Sequence, residues 1–304
     1  MTKLKSADWE AIERIAFKIR DLSTRMITVG GWGHIGGSYS LGEILAVLYG
    51  GFARIKPDEP DWADRDYIIL SKAHSSPALY SALAIAGFFE EERLFSYCTP
   101  GGLEGHLDQL KTPGLEISGG SLGLGLSYGA GVALSLKKQQ RYHQRVFCVV
   151  GDGELCEGEI WEGAMFAAQN CLDNLIAIVD YNKVMAKGFI YEEIRQEPLS
   201  KRFEAFGWTV LEADGHDAEE LWNRFYQAKY ICVTGKPVCI LAHTVKGRGV
   251  LECEFNYRWH THAPSTEKGN QFLRELAETN GLAYKPIDRA PHAKQTLKDI
   301  VEGV

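Results

Sequence analysis

The sequence predicts an α/β fold in which a parallel sheet carries helices on both of its faces. Three observations support it: short apolar runs typical of strands, longer segments with helical periodicity, and regular alternation between the two. We predict strands at residues 67–70, 145–150, 175–180, 208–212 and 237–242. We predict helices at residues 7–29, 41–49, 78–83, 123–138, 158–169, 198–206 and 217–229. A parallel pair of strands needs a long crossover connection, usually a helix, rather than a hairpin turn. Strands that alternate with helices are therefore expected to be parallel.

Each predicted element depends on where its apolar residues fall. The first helix is amphipathic, with one face formed by Ile12, Ile15, Ala16, Ile19, Leu22 and Met26. The strands at 145–150 and 175–180 are almost continuously apolar, which is typical of strands buried in a parallel sheet. The segment 123–138 is rich in glycine and alanine, so we expect a tightly packed, buried helix there.

The domain organisation is simple. The chain has no internal repeat, no low-complexity tract and no linker strong enough to divide it. We therefore expect one domain over residues 1–285 and a C-terminal extension over residues 286–304. Beyond Gly281 the sequence has two prolines and weak periodicity, so this tail either packs on a neighbour or is loose.

Bulk composition excludes several classes of partner. Of the 304 residues 45% are apolar, which is enough for a large core. A formal charge of -7 with scattered basic residues gives no electrostatic reason to expect nucleic acid. No apolar stretch could span a membrane, and the N-terminus lacks the apolar core of a signal peptide. Seven cysteines without a CxxC pair suit free thiols in a reducing compartment, so we expect a cytoplasmic protein.

A short acidic motif follows one of the predicted strands. Gly151, Asp152 and Gly153 come directly after the apolar run that ends at Val150, and Asn182 closes the next run. Glycines on both sides of an acid let the backbone approach a ligand closely. Asp152 and Asn182 should lie side by side at the carboxyl ends of adjacent strands, where open α/β sheets bind ligands. With a backbone carbonyl, two phosphate oxygens and a water, their oxygens would form an octahedral Mg2+ site. Alone, this motif could equally be an ordinary turn acid and turn amide.

Three histidines lie upstream of this motif in loops formed by small residues. They are His34, His74 and His106. A single loop histidine is usually a solvated surface residue. Three of them in loops of this kind favour a ligand site, because histidine donates to phosphates and sugar hydroxyls and moves protons near neutral pH.

Two other glycine-containing segments are weaker candidates. Gly120-x-x-Gly123-x-Gly125 is similar to a dinucleotide fingerprint, but residues 115–118 make a poor strand and no acid follows at the required distance. Lys246 and Arg248 could contact a phosphate, although a turn with solvated charges is the simpler interpretation.

Taken together, the motifs resemble those of transketolases, a family of thiamine diphosphate enzymes. They occur in the family's order, as Gly33-His34-x-Gly36, the Ser71–His74 loop, Glu104-Gly105-His106, the glycine loop 119–125 and Gly151-Asp152-Gly153. The resemblance runs from about residue 6 to about residue 265 and covers the diphosphate-binding (PP) domain. The chain is thus similar to the N-terminal subunit of a split transketolase, with the pyrimidine-binding and C-terminal domains expected on a partner. Ile35, Ser121 and Tyr181 depart from the family pattern, which leaves the exact substrate open.

The resemblance implies residues for the cofactor and its metal. It assigns Mg2+, or Ca2+, to Asp152, Asn182 and the carbonyl of Val184. It assigns thiamine diphosphate to His74, Gly120, Ser121, Leu122, Gly153, Glu154, Asn182 and His260. Within that set, Gly153 and Glu154 would offer backbone N–H groups to the diphosphate.

Catalytic roles follow from the same resemblance. His34, His106 and His260 would line the substrate channel near the reacting carbons. Glu157, also assigned to the catalytic set, and Glu162 match family acids that run from the cofactor to the subunit interface.

The implied activity is movement of a two-carbon ketol unit from a ketose or ketose phosphate to an aldose or aldose phosphate. The family's activating glutamate lies on the pyrimidine domain, so we expect two copies of this chain to need two copies of a partner. The alternatives are a component of a 2-oxo-acid dehydrogenase or deoxyxylulose-phosphate synthase type, a transketolase specialised for a modified sugar, and a non-catalytic binding protein. Several substrate-facing histidines favour a polyhydroxylated substrate over a short oxo acid.

Overall fold

A computed structural model describes residues 8–292 of the chain. In this part a single five-stranded sheet forms the centre of the molecule. Its strands are β1 (Tyr67–Leu70), β2 (Val146–Gly151), β3 (Leu175–Tyr181), β4 (Thr209–Asp214) and β5 (Val238–His243). All neighbouring strands are parallel, in the order β1-β2-β3-β5-β4. The predicted parallel α/β fold is therefore confirmed.

Helices connect the strands and cover the sheet. They are α1 (Trp9–Gly30), α2 (Ile35–Tyr39), α3 (Gly42–Val47), α4 (Ser76–Ala86), α5 (Leu124–Lys138), α6 (Gly158–Gln169), α7 (Ile190–Glu193), α8 (Leu199–Ala205), α9 (Ala218–Tyr226) and α10 (Thr266–Thr279). Short 3-10 or π turns lie at Leu48–Phe52, Ala73–Ser75, Glu91–Ser96, Gly153–Cys156, Gln227–Ile231 and Tyr257–Trp259. The predicted helices and strands agree with these bounds to within a few residues.

Alternate residues of the central strands enter two separate cores. Phe147 and Val149 of β2 pack with residues of α1, α3, α4 and α9 on one face of the sheet. Cys148 and Val150 pack with residues of α5, α6 and α8 on the other. A strand buried on both sides has no solvent-facing positions, which explains its unbroken apolar sequence.

Helix α10 was not predicted, although its sequence carries the necessary signal. Phe272, Leu273 and Leu276 recur at helical spacing, and Ser265 caps the helix by accepting from the Lys268 N–H at 3.2 Å. Phe272 and Leu276 pack in one cluster with Ile27 of α1, and Leu273 packs with Val29. Within residues 8–292, no helix is both long and apolar enough to cross a membrane.

The described part of the predicted C-terminal extension runs along α1. Ile287 is buried beside Val29, and the backbone N–H of His292 donates to the Val29 carbonyl at 2.8 Å. Arg25 of α1 donates to the carbonyl of Pro286 at 3.0 Å. Residues 1–7 and 293–304 lie outside the described residues, so the predicted boundary after residue 285 stays a prediction.

Candidate functional site

A cavity of about 300 Å3 lies at the carboxyl edge of the sheet, a volume suited to a small-molecule ligand. It brings together most of the predicted site residues, namely His34, His74, His106, His260, Gly120, Leu122, Asp152, Gly153, Glu154, Asn182 and Val184. Two predicted residues, Ser121 and Glu157, are exposed and do not form part of its wall.

Four strands deliver polar residues to this cavity because parallel strands end at the same edge. Lys72 follows β1, Asp152 follows β2, Asn182 follows β3 and Lys246 follows β5. In the β2–β3 register Gly151 pairs with Asp180, and beyond it the Lys183 N–H, next to Asn182, donates to Asp152. The expectation that Asp152 and Asn182 meet at adjacent strand ends agrees with this geometry.

Asp180 holds the loops around the cavity together, a role that the sequence did not indicate. Its fully buried carboxylate accepts hydrogen bonds from Ser40, Lys72, Asn182 and Thr244, which belong to four separate segments. Burial alone would raise the pKa of Asp180, but the Lys72 ammonium and these hydrogen bonds lower it below its ordinary value. Asp180 is therefore ionised and fixes the relative positions of the four segments.

The predicted metal ligands present only oxygen atoms, and they lie together. Asp152 Oδ1 accepts from the Gly153 N–H at 2.8 Å, and Asn182 Oδ1 accepts from the Val184 N–H at 3.1 Å. Burial raises the pKa of Asp152 to about 7, and the nearby charge of Asp180 adds to this shift. Two backbone N–H groups and the charge of Lys72 offset only part of this shift. Carboxylate, amide and carbonyl oxygens around such a site fit a hard divalent cation.

Residues 246–249 form the predicted turn and Arg248 is exposed, but Lys246 is buried in the cavity wall, so the prediction of a solvated charge is wrong for this residue. Its Nζ donates to the carbonyls of Val184 and Met185 at 2.8 and 3.0 Å, and it contacts His260 Nδ1 at 2.9 Å. These acceptors come from remote loops, and they replace water around the ammonium group. Burial lowers the pKa of Lys246 to about 7, and the charge of Lys72 adds to this shift.

Lys72 is a second buried cationic group, and the sequence did not single it out although it lies within the recognised Ser71–His74 loop. It is only 2% exposed, and its Nζ donates to the Gly37 carbonyl at 3.2 Å as well as to Asp180. Two lysines and four histidines in one cavity can bind a strongly anionic group such as a diphosphate.

The four histidines form a compact cluster. The ring centroid of His34 lies 5.0 Å from that of His74, 5.2 Å from that of His260 and 6.4 Å from that of His106. Burial lowers the pKa of His34 to about 4, with contributions from His106 and Lys246. Burial and the charge of Lys246 lower the pKa of His260 to about 3. Both rings are therefore neutral at pH 7, and each can donate from one nitrogen and accept at the other.

Individual ring nitrogens show where the cluster is satisfied and where it is not. The Lys246 ammonium occupies the Nδ1 acceptor of His260, so His260 carries its proton on Nε2. Among the described residues, the buried Nδ1 of His34 has no hydrogen-bond partner. A buried polar atom without a partner is costly, and a polar ligand in the cavity would satisfy it.

Glu154 stabilises the glycine loop that borders the cavity. Its carboxylate accepts from the Ser71 hydroxyl, from the Gly123 N–H at 2.7 Å and from the Gly151 N–H at 2.9 Å. This side chain therefore joins the loop to the ends of β1 and β2. The backbone role predicted for Glu154 toward a diphosphate stays a prediction.

Glu162 lies on a different surface, in the groove between α5 and α6, and Glu157 lies at the N-terminal end of α6. Both are exposed, and Glu162 borders the groove with Gly131 and Phe166. Four large apolar side chains of these helices are also exposed, namely Leu124, Tyr128, Met165 and Phe166. The predicted catalytic role of Glu157 stays a prediction.

Comparison with known proteins gives consistent results. The family "Transketolase, thiamine diphosphate binding domain" matches residues 12–279. A Clostridium protein described as a 6-deoxy-6-sulfo-D-fructose transketolase subunit, SqwG, is 41% identical over 85% of this chain and 93% of its own length. A protein of Phocaeicola vulgatus, described as one of the subunits of apulose-4-phosphate transketolase, is 36% identical over 88% of this chain and 95% of its own length.

Solved structures give the same fold. The crystal structure of transketolase from Campylobacter jejuni superposes with a TM-score of 0.82 at 30% identity. The superposition covers 93% of this chain and 44% of that one.

Proposed function

Since the chain belongs to the transketolase family through its thiamine diphosphate binding domain, we propose that it transfers a two-carbon ketol unit from a ketose to an aldose together with a partner polypeptide. It is a subunit of a transketolase-type transferase, and thiamine diphosphate is its cofactor. The observation that carries the proposal is the combination, in one cavity, of an oxygen-only cation site, two buried lysines and four histidines.

The residues of this chain have separate tasks toward the cofactor. Asp152, Asn182 and the Val184 carbonyl hold Mg2+, or Ca2+ in its place, because hard cations prefer such oxygen ligands. Lys72 and Lys246 compensate the charge of the diphosphate, with His74 beside it. When bound, thiamine diphosphate supplies the nucleophilic carbon that permits cleavage of a carbon–carbon bond in the ketose.

The histidines act on the sugar. His34, His106 and His260 present hydrogen-bond donors and acceptors to its hydroxyl and carbonyl oxygens. The names of two relatives refer to sugar substrates, one a sulfonated sugar and the other a sugar phosphate. This supports a ketose that carries an anionic group, such as a sugar phosphate or a sulfonated sugar, as the donor.

The partner is a polypeptide that supplies the pyrimidine-binding and C-terminal domains, in an assembly of two copies of each chain. Two relatives described as subunits are matched over 93% and 95% of their own lengths, whereas the transketolase from C. jejuni is matched over 44%. The exposed apolar groove between α5 and α6 offers a surface for this contact, with Glu162 in the groove and Glu157 at the N-terminal end of α6. All seven cysteines are free thiols, which supports action in the cytoplasm.

Reconstitution tests this proposal. The chain is purified alone and with a candidate partner, the mass of each sample is measured, and both are assayed with thiamine diphosphate, Mg2+ and a panel of ketose and aldose phosphates, sulfonated sugars and 2-oxo acids. We expect transfer only by the assembly and only from ketoses. Transfer by the isolated chain, or turnover of 2-oxo acids alone, would contradict it.

A variant of the groove tests the assembly separately. A Cβ built on Gly131 meets nothing within 4 Å, so Gly131→Trp should leave the isolated chain folded and reduce its association with the partner. Leu251→Trp, at a residue that is 80% exposed on another surface, is the control.

A further inference from the structure

A buried polar network lies directly behind the loop that carries Lys246. Arg20 of α1 donates two hydrogen bonds to the Glu43 carboxylate of α3. His216, in the loop between β4 and α9, contacts Glu43 Oε2 through its Nδ1 at 2.8 Å. The Nε2 of His216 accepts a hydrogen bond of 2.8 Å from the backbone N–H of Val245. The network thus joins two helices on one face of the sheet to the residue immediately before Lys246.

The hydrogen bonds fix the protonation of the His216 ring. The group of Val245 that contacts Nε2 is its backbone N–H, a donor, so Nε2 must be the unprotonated acceptor. The proton therefore lies on Nδ1 and is donated to Glu43. In this tautomer the His216 ring links the Glu43 carboxylate to the loop. A substitution that places no acceptor at the position of Nε2 would leave the Val245 N–H without a hydrogen bond.

Close packing makes the network rigid. The side chains of Glu43 and His216 are about one-tenth exposed or less. A Cβ added at Gly42 would lie 2.6 Å from the Arg20 guanidinium carbon, so glycine is needed where α3 meets α1. The Arg20 Nε also donates to the Tyr39 carbonyl at 3.0 Å. Every polar group in the network is paired, so its members have little freedom to shift.

The loop after β5 is held at three consecutive residues. The hydroxyl of Thr244 donates to Asp180, the N–H of Val245 donates to His216, and Lys246 donates to the Val184 carbonyl. The third bond joins two residues of the cavity wall. The second comes from the Arg20–Glu43 network, whereas the Gly247 N–H donates to the Gly36 carbonyl and the Lys246 carbonyl accepts from the Phe255 N–H. The Val245 bond is therefore the contact through which α1 and α3 influence the position of Lys246.

We infer that His216, supported by Glu43 and Arg20, is a positioning residue that sets the Lys246 ammonium for the diphosphate of the cofactor. The inference rests on the proposed function, since it assumes that the cavity binds thiamine diphosphate. His216 itself does not line the cavity, and its effect is transmitted through the backbone of Val245.

A double-mutant cycle on the assembled complex tests the inference. Thiamine diphosphate affinity is measured by calorimetry in the presence of Mg2+ for His216→Ala, for Lys246→Met and for the double variant. We expect His216→Ala to weaken binding about tenfold with Lys246 present and less than about twofold in the Lys246→Met background, because coupled residues are not additive. Equal losses in both backgrounds would overturn the inference, because they indicate a general structural role.

Further variants keep the test decisive. His216→Gln can place an amide oxygen near the position of Nε2 and should restore part of the lost affinity, which a nonspecific loss of packing would not predict. Glu43→Gln should weaken binding, whereas Glu212→Gln, which disrupts the exposed pair of Glu212 and His243 at a neighbouring strand end, should not. Thermal melting of each variant identifies any that do not fold, and the inference is then decided by the Gln variants. Absence of cofactor binding by the wild-type complex would refute the proposed function and this inference together, whereas normal wild-type binding without coupling would refute the inference alone.

Discussion

Lys72 and Asp180 form a buried ion pair across 108 residues of sequence, at the carboxyl ends of β1 and β3. The ammonium group is 2% exposed and the carboxylate is fully buried, so neither charge is compensated by water. The pair has two consequences. It fixes a cationic group in the cavity wall, and it keeps Asp180 charged as the acceptor for the surrounding loops.

Removal of one partner of this pair should destabilise the fold. Lys72→Met leaves the Asp180 carboxylate buried without its cation, and we expect a loss of about 3–5 kcal/mol in the free energy of unfolding. The double variant Lys72→Met with Asp180→Asn should recover part of this loss, since no uncompensated charge is left. Urea unfolding of the isolated chain measures both variants, and a single variant as stable as wild type would contradict the assignment.

Cofactor binding should depend on a divalent cation held by Asp152. Asp152→Ala removes a carboxylate ligand, so we expect binding of thiamine diphosphate to the assembled complex to be lost while the chain stays folded. Chelation of the metal should have the same effect on the wild type, and Ca2+ should restore binding. Calorimetry gives the affinities, with Asp58→Ala, at an exposed loop acid, as the control. An affinity unchanged by Asp152→Ala would remove the residue from the site.

His106 should act on the sugar more than on the cofactor. Its ring borders the cavity beside Gly120. Within the described residues, no hydrogen bond joins this ring to Asp152 or Asn182. His106→Ala is therefore expected to reduce kcat by about a hundredfold, within the range for loss of a group that assists proton transfer. Thiamine diphosphate affinity should change far less. His143→Ala, at a histidine that is 53% exposed on the surface, provides the comparison, and unchanged kinetics for His106→Ala would exclude the residue.

Stability in acid should depend on Glu43. Burial alone would raise the pKa of this carboxyl, but Arg20 and His216 hold it at about 2, below the ordinary value of 4.5. A depressed pKa means that the contribution is complete above pH 4.5 and disappears as the pH falls from 4.5 toward 2. The melting temperature of wild type should therefore fall through this range, whereas that of Glu43→Gln should start lower and change less. Parallel curves for the two proteins would contradict the assignment.

Sequence reasoning predicted the fold because the decisive information is local. Residues such as Phe147 and Cys148 enter opposite cores, and a strand buried in this manner is recognisable from its own composition. The position of Asp152 after β2 was predictable for the same reason, since parallel strands deliver their following residues to one edge. Helix α10 carried a readable apolar stripe and was overlooked beside the weakly periodic tail.

The buried lysines were not predictable in this way. Lys246 is followed by Gly247 and Gly249, a pattern typical of a surface turn. Nothing near it in the sequence indicates that its side chain is buried. Its ammonium is stabilised by the carbonyls of Val184 and Met185, about sixty residues away along the chain. Lys72 depends in the same manner on Asp180. A buried charge is specified by partners that only the tertiary fold brings near, so its own sequence context carries little of the signal.

The strand order has a consequence for the way in which the chain reaches its native state. β5 lies between β3 and β4, although β4 precedes it in sequence, so β4 can join the sheet only through a strand that is synthesised later. A nascent chain released before residue 243 would leave one side of β3 unpaired and Asp180 without Thr244. The ligand-binding edge therefore assembles late and cooperatively, and a shortened chain should be a substrate for chaperones or proteases rather than a weakened enzyme.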